Sequence, residues 1–118
     1  MKSYTDIEQS KKLAEILPPG SSDMYYHNRV DIPDNFPLPI EWKRDLPLLS
    51  QEIPCWSLSA LLELLDYPQL SKDKLGNEKV GWMVSVYPDN CRYDSRWCDN
   101  SIDACYEMII KLHEQELL

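Results

Sequence analysis

The chain should fold as an α+β domain, with three helices packed on a small, mainly antiparallel sheet. Three stretches carry that expectation: an apolar run opened by a capping serine at 57 to 66, an alternating run at 80 to 87, and an amphipathic run of helical spacing at 101 to 115. With 118 residues, 43% of them apolar and 27% charged, a single domain over 1–118 is expected, large enough for a real core and too small for two.

The organising element is Ile53-Pro-Cys-Trp-Ser-Leu-Ser-Ala-Leu-Leu-Glu-Leu-Leu-Asp66. Ser57 stands where an N-cap belongs, its hydroxyl placed to accept from the amide of Ser59 or Ala60, and Trp56 before it can fold over Leu61 as a hydrophobic staple. Leu58, Leu61, Leu62 and Leu65 follow one helical face, and Ala60 and Leu64 widen it. A helix so nearly apolar all round needs neighbours on several sides, so the other segments are read as its covering.

Near the start, Thr5-Asp-Ile-Glu8 reads as a capping box opening a helix over 5–17, which Pro18-Pro19-Gly20 ends. Its apolar stripe is Ile7, Leu13, Ala14, Ile16 and Leu17, with Lys11 and Lys12 on the wet side. Residues 23 to 27, with Tyr25 and Tyr26 adjacent, predict a short strand. From 31 to 54 five prolines (Pro33, Pro37, Pro39, Pro47, Pro54) rule out a regular helix or a central strand. Phe36, Leu38, Ile40 and Trp42 alternate there, which predicts an extended segment pressing one side on the core.

Beyond the central helix, Tyr67-Pro68 breaks helical geometry, and 71 to 78 reads as a polar loop closed by Gly76-Asn77. In the strand over 80–87, Trp82, Val84 and Val86 share one side and Met83, Ser85 and Tyr87 the other. Pro88-Asp89-Asn90 supplies a turn, after which Cys91, Tyr93, Ser95 and Trp97 alternate with Arg92, Asp94 and Arg96 as a second strand with one wet face. Asn100 or Ser101 caps the last helix, over 101–115, with Asp103 in its first turn. Ile102, Cys105, Met108, Ile109 and Leu112 form its inner side.

The net charge of −8 opposes binding to phosphate backbones, which needs basic clusters, so no direct nucleic-acid binding is expected. Solubility accounts for the acidity; the sharper alternative is an acidic surface that steers the chain to a basic partner or imitates nucleic acid. The longest apolar run, at 58 to 65, falls far short of the roughly 20 residues of a membrane span. The opening Met-Lys-Ser-Tyr-Thr-Asp lacks the apolar stretch of a secretory signal, so the four cysteines are expected as thiols in a reducing cytoplasm.

Cys91, Cys98 and Cys105 recur every seven residues, with Cys55, His27 and His113 also available. Structural metal sites bring ligands in closely spaced pairs, which this chain lacks, so no metal is expected, and Cys105 reads as a small buried hydrophobe. A cysteine nucleophile would need His27 or His113 beside it, and both read as ordinary surface or edge residues. Asp89, Asp94, Asp99 and Asp103 lack the spacing and central glycine of a calcium loop and read as a solvated rim. None of the three glycines sits in a Gly-rich loop opening a helix, which disfavours nucleotide enzymes. Of Tyr25, Tyr26, Trp42, Trp56, Trp82, Tyr93 and Trp97, most should enter the core and two or three remain partly exposed as a candidate contact surface.

Taken together, Glu8-Gln-Ser-Lys-Lys-Leu13, Ser22-Asp-Met-Tyr-Tyr26, Ile53-Pro-Cys-Trp-Ser-Leu-Ser-Ala-Leu-Leu-Glu63 and Ile102-Asp-Ala-Cys-Tyr-Glu-Met-Ile-Ile-Lys-Leu-His113 resemble a group of small uncharacterised proteins encoded by prophages and other mobile elements of gut Bacteroidetes. The resemblance spans nearly the whole chain and brings no catalytic or binding residues with it. It implies a bacterial cytoplasmic setting, in which small acidic accessory proteins act on other proteins. The expectation is a non-enzymatic protein-interaction module without catalytic, cofactor-binding or metal residues, its partner another protein. The alternatives are an acidic nucleic-acid mimic that binds a basic protein and a small hydrolase-like enzyme using a Cys and His pair.

Overall fold

A computed structural model describes residues 2–18, 20–27, 36–43, 46–49, 51–76 and 79–118. Among these residues it shows an α+β fold of three helices, α1 (Ile7–Ala14), α2 (Leu58–Glu63) and α3 (Ser101–Glu114), with six short strands in two antiparallel sheets. Strands β1 (Met24–Tyr26), β2 (Pro37–Pro39) and β3 (Ile53–Cys55) form the first sheet, in the order β2-β1-β3. Strands β4 (Gln69–Leu75), β5 (Lys79–Val86) and β6 (Tyr93–Asp94) form the second, with β5 central.

The core lies where α3 crosses β5 and meets α2. Leu61, Val84, Val86, Ile102, Cys105, Met108 and Ile109 are fully buried there, with Leu13 arriving from α1 and Trp56 from the end of β3. Ser57 caps α2 as expected, its hydroxyl accepting from the Ala60 amide at 3.3 Å. Trp56 and Leu61 both lie in the core cluster, as the staple requires. Asn100 caps α3 by accepting from the Asp103 amide at 2.8 Å.

The first helix is capped one residue later than expected. Asp6, not Thr5, accepts from the N3 amide, and Gln9, not Glu8, reaches back to the cap. Thr5 is fully buried because the chain there runs beside Trp56: the Thr5 amide donates to the Trp56 carbonyl at 3.0 Å, and the Thr5 hydroxyl accepts from the Trp56 amide at 3.1 Å. That hydroxyl also bonds the Ser10 hydroxyl at 2.8 Å, so the side chain that sequence places at a cap anchors the start of α1 to β3 instead.

The polar loop expected at 71 to 78 is also corrected. β4 runs through Leu75 and pairs residue for residue with β5, from Gln69 opposite Ser85 to Leu75 opposite Lys79. As an edge strand β4 tolerates the exposed Lys72, Asp73 and Lys74, and the Asp73 carboxylate covers one backbone donor by accepting from the Lys74 amide at 2.8 Å. The second hairpin strand is shorter than expected and bulged. Ser85 faces Asp94 and Trp82 faces Cys98, so three residues, 95 to 97, oppose two, 83 and 84. The Ser95 hydroxyl takes up the Val84 amide at 3.0 Å inside the bulge.

The proline-rich section holds two short strands rather than plain irregular chain. Both β2, with Pro37 and Pro39, and β3, with Pro54, are edges, the positions where a missing donor does no harm. A 3-10 turn at Ile40–Lys43 then replaces a repeat of two by a repeat of three, so Trp42 leaves the side of Leu38 and Ile40. Trp42 is 62% exposed and Phe36 57%, against the expectation that both press on the core. Pro19, residues 31–35 with Pro33, and Asn77 with Glu78 lie outside the described residues.

Candidate functional site: an apolar hollow

The end of α1, the first sheet and the chain after the Ile40–Lys43 turn enclose a hollow of about 530 Å³. Pro54 and Trp56 line it from β3 onward, Ala14, Leu17 and Pro18 from α1 and its exit, and Ile40, Leu46, Pro47 and Leu48 from the opposite side, with Gly20 and Ser22 as the polar part. Among the described residues no charged or titratable side chain lines it. Such a lining removes apolar surface from water and supplies no acid, base or nucleophile beyond one serine hydroxyl.

Both walls are tied down. Trp56 donates its indole N–H to the Ser21 hydroxyl at 3.0 Å, and that hydroxyl donates to the Pro18 carbonyl at 2.7 Å. Ile40 donates its amide to the Asp23 carbonyl at 2.9 Å. The Asp23 carboxylate accepts from the Ser57 amide at 2.9 Å and from the Ser57 hydroxyl, which joins this side to the start of α2. On the outer wall the Lys43 ammonium meets the Glu52 carboxylate at 2.6 Å, and the same Oε1 accepts from the Leu49 amide at 2.8 Å. Lys43 also lies 5.5 Å from the centre of the Tyr25 ring. Burial pushes the Glu52 carboxyl up, but the Lys43 ammonium and the Leu49 amide outweigh it and hold it below the ordinary range.

The chain that lines the hollow on this side also leaves large apolar side chains in water. Leu46 is 67% exposed and Leu49 56%, and Phe36 and Trp42 stand out of the same stretch of chain. Scattered exposed apolar residues need no explanation, but four large ones within fourteen residues, two of them on the segment that walls an apolar hollow, make this stretch the candidate contact region. Sequence reasoning named Trp42 but set it in the wrong place, and it passed over Leu46-Pro-Leu-Leu49, whose signal was an apolar cluster inside a segment with no room for a regular element.

The other candidates do not converge. Cys55 and Cys105 are fully buried, Cys98 is half-buried and Cys91 exposed. Burial pushes the Cys55 and Cys98 thiols up and the Cys105 thiol up to about 12, which keeps all three protonated near neutral pH. His113 is exposed near the end of α3, whereas His27, expected at a surface or edge, is buried just after β1. Asp94 is held by Ser85 and Arg92, and Asp99 pairs with Lys79 at 3.1 Å. Asp103 pairs with Lys2 at 2.8 Å, and Asp89 stands in the exposed turn after β5. Among the described residues no three His, Cys, Asp or Glu side chains gather as a metal site, and no helix is long and apolar enough to cross a membrane. Of the seven aromatics singled out as core or contact candidates, Tyr25, Tyr26 and Trp56 are buried and Trp82 and Tyr93 half-buried, while Trp42 and Trp97 are exposed. Comparison of the chain with protein-family models, with curated proteins and with solved structures returns no match.

Proposed function

We propose that the chain is a non-enzymatic interaction module that works by covering the apolar hollow with a protein surface. The single observation that carries this reading is a 530 Å³ hollow, uncharged among its described lining residues, with Leu46 of that lining and Leu49 of the same segment left in water and a part-buried ion pair closing the segment. Pre-formed walls suit binding because little ordering is needed when the contact forms. A bacterial cytoplasmic accessory protein of a prophage or mobile element is the setting that the sequence resemblance supports.

The test compares tagged wild type with Leu46→Asp, both recovered from a bacterial host at low and at moderate salt, with untagged chain co-expressed. Leu46 is 67% exposed, so the substitution leaves the core intact. Protein retained by wild type at both salts and lost from Leu46→Asp is the expected result. A partner retained equally by both and released by salt alone would favour docking through the acidic surface, because exposed charges are screened within about 10 Å at 0.1 M ionic strength.

A further inference from the structure

We infer that the hollow is a binding site for a small, uncharged, mainly hydrocarbon molecule that brings one hydrogen-bonding oxygen to Ser22. The inference goes beyond the covering of the hollow by a protein surface and does not depend on it.

Burial sorts the lining into a floor and a rim. Leu17, Ser22 and Trp56 are 7, 7 and 1% exposed and lie at the floor, whereas Ala14, Leu46 and Pro47 are exposed and form the rim. The volume of about 530 Å³ lies within the roughly 300–1,000 Å³ usual for sites that take small organic molecules. One inserted side chain would leave most of it empty. A molecule seated on the floor fills that space and still leaves the rim for a protein to cover.

The polar groups of the floor select the ligand. Two side chains of the described lining carry a polar atom, and one of these, the Trp56 indole N–H, is spent on the Ser21 hydroxyl at 3.0 Å. The Ser22 hydroxyl, on a residue only 7% exposed, meets no hydrogen-bond partner among the described residues. A hydroxyl withdrawn from water without a partner is unfavourable, and a ligand oxygen beside it supplies the missing bond. The described lining offers no cation to a carboxylate or phosphate and no carboxylate to an amine, so a charged molecule would give up its water there uncompensated. Hydrocarbon is drawn in by the apolar area that it removes from water.

Calorimetric titration of the purified full chain with 1-octanol and, separately, with octanoate at neutral pH tests this. Saturable one-to-one binding of 1-octanol is expected, weakened about ten-fold in Ser22→Ala, roughly the worth of one hydrogen bond. It should be lost in Ala14→Trp, whose ring fills the hollow from the exposed rim. Octanoate should bind at least about ten-fold more weakly than the alcohol. Matching thermal melts of the ligand-free variants would show that folding is not what changed, and 1-octanol should raise the melting temperature of wild type more than that of Ser22→Ala. Absence of saturable binding overturns the site. Equal binding by Ser22→Ala overturns the part given to the hydroxyl, and octanoate binding as tightly as the alcohol overturns the uncharged class. None of these failures touches the retention test with Leu46→Asp, since no partner protein is present in the titration.

Discussion

Lys43 and Glu52 meet at 2.6 Å with side chains only 13% and 10% exposed, and they close the segment that carries Leu46 and Leu49. The shared Oε1 also accepts the Leu49 amide, so one carboxylate holds both ends of the outer wall. Lys43→Met keeps the length of the stem and leaves the carboxylate without its cation. The expected loss is about 1–3 kcal/mol in urea denaturation, discounted from the value for a fully buried pair because some solvent still reaches this one. The same variant should lose contact through the hollow, while Lys72→Met, on the edge strand, should not.

Stability should fall on acidification. Glu52, Asp94, Asp103 and Glu107 all have carboxyls held below the ordinary range. Burial opposes the shift at Glu52 and Asp103, where Lys43 and Lys2 overcome it, while the Ser85 hydroxyl leads at Asp94 and Arg96 at Glu107. A carboxyl lowered on folding contributes stability above its unfolded value, roughly 3.9 for Asp and 4.3 for Glu, and that contribution disappears as pH falls through the folded value. Urea midpoints should therefore decline below about pH 4, and Lys43→Met should flatten the decline. A midpoint constant down to pH 2 would contradict the assignment.

Thr5 ties the start of the chain to Trp56 through a buried hydroxyl. Thr5→Val preserves the shape and removes the acceptor of the Trp56 amide, at an expected cost of about 1–3 kcal/mol. Thr5→Ser should recover most of it. Equal losses for Val and Ser would mean that the methyl packing, not the hydroxyl, matters.

The thiols should react in order of exposure. Under native conditions Cys91 should be modified first and Cys98 more slowly, with Cys55 and Cys105 reacting only on unfolding, since burial both shields them and keeps them protonated. Mass spectrometry of protein treated with a thiol reagent checks the order, and early labelling of Cys55 would contradict the buried cluster it shares with Thr5 and Tyr26.

How much of this was legible in the sequence depended on whether the cause was local. The caps at Ser57 and Asn100, the strand with Val84 and Val86 inward, and the inner side of α3 rest on short-range patterns that the structure keeps. Thr5 and Asp6 are equally able to cap, and the choice was made by Trp56, fifty-one residues away. From Ser71 to Lys74 β4 is polar on both sides, and that part becomes a strand because β5 offers it a partner, which no pattern within 71 to 78 announces. The hollow was hidden for a related reason. Alternation in 36 to 42 pointed Trp42 inward, but the turn starting at Ile40 changes the repeat, and the wall that follows is held by a pair formed across nine residues.

Hydroxyl-radical footprinting of Trp42 and Tyr67 tests the proposed covering of this stretch most directly, comparing dilute purified protein with the chain in intact cells. In dilute solution both side chains should oxidise readily, in keeping with exposures of 62% and 83%. In cells Trp42 should be protected while Tyr67 stays reactive, whichever protein surface covers the hollow. Equal reactivity of both residues under both conditions would contradict a face that works by being covered.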